Sequence, residues 1–259
     1  MIAASGLALD PASQSHLGHA IVVVHHATPC FFHSGDNGRR HIVGGQQRGL
    51  ELDGHPMAVR IPIAGQGQNL GGLHARPDDR TVEFKCTFWE RALEEVGDSI
   101  DVVVEADDLG SQNSMLLSPR TYRKLIQPRH DRLFWFIKDQ APVKVFLHSC
   151  GAVRPNIPDL IDTGIDILNP VQISASGMDP YELKQEFGRD LVFWGGGVDT
   201  QQVLSFGTPQ EVQDDVRRNV EALAPGGGFV SATVHDIQAN VPPENIMAMW
   251  DAWHSLKDY

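Results

Sequence analysis

The stretch Lys144–Asn169, KVFLHSCGAVRPNIPDLIDTGIDILN, decides how the rest of the sequence is read. An apolar run, VKVFL, ends in the polar loop HSCGAVRPN. A short helical segment, IPDLIDTG, follows, and IDILN begins a second apolar run. Strand, loop, helix and strand in such quick succession imply two parallel strands joined by a right-handed crossover. At the end of the first strand stand His148 and Cys150. On extended backbone, positions i and i+2 point to the same side, so the two side chains share one face.

The same rhythm continues in both directions. Upstream, TVEFKCTFWERALEEVG has helical apolar spacing, IDVVVEA reads as a strand, and DDLGSQNSMLL is its loop. Ser118-Pro119 opens the next helix, with serine as N-cap and proline at the first helical position. It runs through RTYRKLIQPRHDRLFWFIKDQ, with a kink expected at Pro128. Downstream come the loop PVQISASGM, a helix begun by Asp179-Pro180, and the strand DLVFWG with its loop GGVDTQQVLSFG. Thr208-Pro209 caps QEVQDDVRRNVEALA, and the strand GFVSAT, the loop VHDIQANV and a helix from Pro242-Pro243 complete the pattern.

Five strand–loop–helix units in a row describe an α/β protein with a parallel sheet. An open doubly wound sheet and a (β/α)8 TIM-type barrel both satisfy that order. No G-x-G-x-x-G follows a strand and no P-loop is present. Polar groups recur in the loop after every strand, which favours the barrel, whose active site lies on that one face. Residues 81–259 are therefore expected to form a barrel portion, incomplete toward the N-terminus.

Residues 1–80 read as an irregular region. They hold 8 of the 12 histidines and 12 of the 25 glycines, and no lysine occurs before Lys85. Only AIVVVHH and MAVRIPI look like strands there. Two accounts stand: a loop-rich N-terminal region, or a segment out of the gene's native frame. A barrel lacking its first strands would expose open edges and apolar surface, so insolubility or oligomerisation is expected unless this region fills the gap.

Composition narrows the function. A hydrophobic share of 41% over 259 residues is ample for a core. The net charge of −12, with no Lys/Arg-rich run, argues against nucleic acid or an anionic membrane as partner. No apolar stretch approaches the roughly 20 residues that span a bilayer. The opening MIAASGLALDPASQ lacks the basic segment of a secretory signal, and three scattered cysteines make no disulfide framework. A reduced, cytoplasmic location is the expectation.

In the barrel arrangement five loops converge on one mouth. They bring Asp107 and Asp108, then His148 and Cys150, then Asn169 and Gln172, then Gly196 and Asp199, and last His235 with Asp236. Imidazole and thiolate are both good Zn²⁺ ligands, and His235 is the natural third; three protein ligands leave one position open for chemistry. A Cys–His nucleophile pair is the competing reading, and a buried cysteine beside a structural histidine is the plain one.

The stretches VVVEADDLGSQNSMLLSPRTYRKLIQPRH, KVFLHSCGAVRPNIPDLIDTGIDILNPVQ, FWGGGVDTQQVLSFGTPQEV and HDIQANVPPENI resemble the uroporphyrinogen decarboxylase (URO-D) superfamily, over about residues 81–257. The resemblance implies a (β/α)8 barrel and one of two chemistries. The corrinoid-linked methyltransferases of this superfamily bind zinc through a His-x-Cys strand and a distant cysteine, and move a methyl group between methylcobalamin and a thiol acceptor. His148-Ser149-Cys150 matches the first half, but no cysteine follows, and His235 stands near the third position. On this reading a corrinoid protein is a partner, methylcobalamin a co-substrate and a small molecule the acceptor. His148, Cys150 and His235 hold zinc, His235 and Asp107 serve catalysis, and Asp108, Asn169, Gln172, Gly196 and Asp199 line the substrate site. The alternative is a metal-free uroporphyrinogen III decarboxylase of porphyrin biosynthesis, a lyase that binds carboxylates through arginines. Arg154 is the one arginine in a strand-end loop of the matching part, so the methyltransferase branch is favoured. A third expectation is an inactive, truncated relic.

Overall fold

Val102, Val103 and Val104 carry the first clue to the layering, because consecutive β-branched residues suit a strand covered on both faces. They lie in a parallel sheet of six strands whose spatial order repeats the chain order. A computed structural model describes residues 20–23 and 77–256. The strands are β1 (Ala20–Val23), β2 (Ile100–Ala106), β3 (Lys144–His148), β4 (Ile167–Asn169), β5 (Val192–Trp194) and β6 (Phe229–Val230). β1 comes from the run AIVVVHH in the region expected to be irregular, and it pairs with β2. The other strand-like run, MAVRIPI, lies outside the described residues, as does most of the region 1–80.

The helices are α1 (Pro77–Val96), α2 (Pro119–Leu125), α3 (Gln127–Gln140), α4 (Ile157–Asp162), α5 (Pro180–Phe187), α6 (Val203–Phe206), α7 (Pro209–Leu223) and α8 (Pro243–Ser255). Three begin at caps legible in the sequence. Ser118 Oγ accepts from Thr121 N, Asp179 accepts from Glu182 N, and Thr208 with Glu211 closes a reciprocal capping box. Where a kink was expected at Pro128, the chain forms two helices that meet at Ile126. Proline has no N–H to return to the carbonyl of Lys124. The Arg129 amide turns back three residues to the Ile126 carbonyl, which also takes the regular helical bond from His130 N.

Side chains alternate across the sheet. Val103, Val145, Leu147, Leu168 and Phe193 face the helices and pack with Trp89, Phe134, Ile137, Leu160 and Leu183 in the main core. Burying each such side chain contributes roughly 1.5–3 kcal/mol. The opposite face carries Val102, Phe146 and Ile167, with Val192 and Trp194 against them. Phe146 and Trp194 meet edge to face at 5.4 Å. A second core joins Val212, Val216 and Val220 of α7 to Ala248, Met249 and Ala252 of α8.

This is α/β architecture with one all-parallel sheet, consistent with part of a TIM-type barrel. Among the described residues the sheet ends at β1 and β6. No described helix is long and apolar enough to cross a membrane.

Candidate metal centre

The register of three strands creates the site. Ala106 of β2 lies opposite His148 of β3, and His148 lies opposite Asn169 of β4. One pleat period beyond Ala106 is Asp108, and one beyond His148 is Cys150. Both loops turn immediately, and their backbones touch. A Cβ on Gly110 would fall 2.7 Å from the Cys150 carbonyl oxygen, and one on Gly151 (φ +87°) would fall 2.4 Å from the Gly110 carbonyl carbon. Only glycine permits that approach. Ala152 N donates to Ser111 O, and Leu109 N donates to Ser149 Oγ.

The locked loops bring Asp108, His148 and Cys150 together. One ligand atom from each lies within 4.8 Å of the others. Cys150 Sγ is 3.3 Å from His148 Nε2, and the Cys150 amide donates to Asp108 Oδ1 at 2.9 Å. His235, expected as the third ligand, stands 4.0 Å from Cys150 Sγ through its Nδ1 and outside that triad. It also lines a cavity of about 320 Å³ with Thr200, Leu204, Phe206, Ile237 and Val241.

Burial pushes the Cys150 thiol up to about 12, and the Asp108 carboxylate adds to the rise. The pair is therefore poorly suited to nucleophilic thiolate chemistry, which needs a depressed thiol pKa. Partial burial lowers the pKa of His235, and His148 lowers it further. A thiol held protonated in this way is one that a bound cation would deprotonate, since coordination stabilises the thiolate.

The other expected residues are placed as follows. Asp107 turns toward α3, where its Oδ2 meets His130 Nε2 at 3.2 Å; His130 Nδ1 in turn faces the buried Tyr122 hydroxyl at 3.1 Å. Gln172 is buried, accepting from Gly151 N and donating to Gln112 Oε1. Gln112, in the loop after β2, donates to Ser174 O and accepts from Gln201, so three amide side chains brace the β2, β3, β4 and β5 loops. Asn169 bridges His148 and the Trp194 carbonyl. Asp199 accepts from the amides of Gln201 and Gln202, and Gly196 (φ +67°) packs on Val171. Gln112 and Ser149 went unmarked in the sequence, since nothing local distinguishes a bracing amide or hydroxyl from a solvated one.

Residues 92–256 match the family model described as uroporphyrinogen decarboxylase (URO-D). The chain belongs to the URO-D family. Among solved structures, its fold is similar to that of a "methyltransferase from Methanosarcina mazei", with a TM-score of 0.51 at 22% identity. The likeness covers 69% of this chain and 48% of that one, so the chain spans about half the length of that protein. At such identity the likeness speaks for the fold. No curated protein matches the sequence significantly.

Proposed function

We propose that this URO-D family member is a zinc-assisted methyltransferase that moves a methyl group between a corrinoid and a thiol-type acceptor. The observation that carries the reading is the convergence of Asp108, His148 and Cys150 on one point at the strand ends. Nitrogen, sulfur and oxygen donors in that number suit Zn²⁺ and leave a position open. In this reading Asp108 takes the place that the sequence suggested for His235, and His235 stands beside Cys150. Zinc, when bound, would supply Lewis acidity that holds an acceptor thiol as thiolate near neutral pH. The chain's own part is to offer three donors in fixed register and to hold the Cys150 amide on Asp108. His235 fits a role in binding or in relaying a proton from the incoming thiol. Asp107 and Asp199 are committed to His130 and to the α6 turn, and we assign them structural rather than catalytic work.

The decarboxylase alternative draws less support. Among the described residues, Arg154, the arginine in a strand-end loop, is paired with Glu182 and Glu186. A polycarboxylate substrate needs unengaged cations.

Metal analysis tests the proposal: about one zinc per chain is expected, lost in Cys150→Ala. Incubation with methylcobalamin and a thiol should then show demethylation of the corrinoid, abolished in the same variant. Protein purified without zinc that also refuses added zinc would sink the reading.

A further inference from the structure

Asn169 occupies the strand position opposite His148, and its two polar ends face different strands. Its Nδ2 lies 2.8 Å from the backbone carbonyl of Trp194 on β5. Its Oδ1 lies 2.6 Å from His148 Nδ1. These contacts admit one arrangement of protons. A carbonyl oxygen can only accept, so the amide nitrogen must be the end that meets Trp194. The amide oxygen is then the end left for His148, and it too can only accept. The proton of the neutral imidazole therefore sits on Nδ1. Nε2 keeps its lone pair, and Nε2 is the atom that faces Cys150 Sγ at 3.3 Å.

We propose that Asn169 is a positioning residue that holds His148 in its Nδ1–H tautomer, aiming the Nε2 lone pair at the point shared with Cys150 and Asp108. Both polar ends of Asn169 are thus engaged within the protein, which gives it a task other than the substrate contact its place in the loop suggested. The argument needs no metal. Free imidazole side chains favour the opposite tautomer, with the proton on Nε2, so the preference must be imposed. Asparagine imposes it because the β5 carbonyl fixes its amide; a serine or water could donate as readily as accept. The orientation is further held by the backbone, since Ser149 N donates to the Asn169 carbonyl at 2.7 Å. Partners that fix a ligating histidine in this way typically contribute about 10–100-fold to metal affinity.

The proposal rests on the zinc reading for its affinity arm alone. The experiment is long-range ¹H–¹⁵N spectroscopy of the metal-free protein at alkaline pH, with His148 assigned through a His148→Gln variant. The expected wild-type pattern is that of an Nδ1–H imidazole. Asn169→Leu should shift His148 toward the Nε2–H pattern, and chelator competition should show zinc affinity lower by about 10–100-fold. Asn169→Asp, which keeps the acceptor for Nδ1 but gives up the donor to the Trp194 carbonyl, should restore the tautomer and part of the affinity. A wild-type His148 carrying its proton on Nε2 overturns the proposal whether or not any variant folds. So does an Asn169→Leu protein that folds with the tautomer unchanged. A wild-type protein that takes up no zinc overturns the methyltransferase reading instead, and the tautomer spectrum still decides this one.

Discussion

The two sides of the mouth are built differently. On the β2–β3–β4 side, strands of up to seven residues end in loops that are in backbone contact, and every polar side chain near Cys150 has a defined partner. On the β6 side, a strand of two residues delivers His235 and Asp236 on an exposed loop. One side is rigid because its register leaves no freedom. The other can adjust because little ladder holds it. A site made this way pre-forms most of a ligand set and leaves the remaining group free to follow a substrate in or out.

The largest expected effect comes from Cys150→Ala, which removes the sulfur donor and should bring zinc content to background in metal analysis. The next concerns what lies beneath each side. Leu147, the neighbour of His148 on β3, is fully buried in the main core, whereas Phe229 of β6 is half-buried. Leu147→Ala should cost about 2–5 kcal/mol in denaturant unfolding, and Phe229→Ala distinctly less. Equal costs would erase the contrast drawn between the two sides.

A third prediction ranks the oxygen donor against the second histidine. Asp108→Ala should weaken zinc binding more than His235→Ala, as read by chelator competition. The reverse order would restore the ligand set read from the sequence. The smallest effect is a matter of protons. Near pH 8 the Cys150 thiol, pushed up to about 12, still holds its proton. Zinc uptake should release about one proton per ion, so affinity rises with pH through the neutral range. Affinity independent of pH would remove Cys150 from the ligand set. The same shift has a stability sign. The folded pKa lies above the ordinary value of 9.0, so the metal-free protein should lose stability as pH climbs from 9 toward 12.

Local rules made much of this legible in advance. Ser118, Asp179 and Thr208 announced three helix starts because a cap and its proline act within one turn. His148 and Cys150 could be placed on one face because strand alternation is a two-residue property. What stayed hidden depends on pairing between strands. Two adjacent aspartates follow β2, and only the alignment of Ala106 with His148 selects Asp108 for the centre while sending Asp107 to His130. Asn169 and Gln172 looked like open polar groups, since partners such as Gln112 lie far along the chain. Pro128 marked a kink, but not that the helix would divide in two with Ile126 carrying the join.

The touching backbones at Gly110 and Gly151 make the two loops a single mechanical part. A methyl group at either position would act as a wedge, prying Asp108 from the Cys150 amide without altering any donor atom. On the proposed reading, the centre's grip on a cation is therefore adjustable from a place that never contacts the cation. Substitutions there offer a dial for tuning metal preference, separate from the choice of ligands.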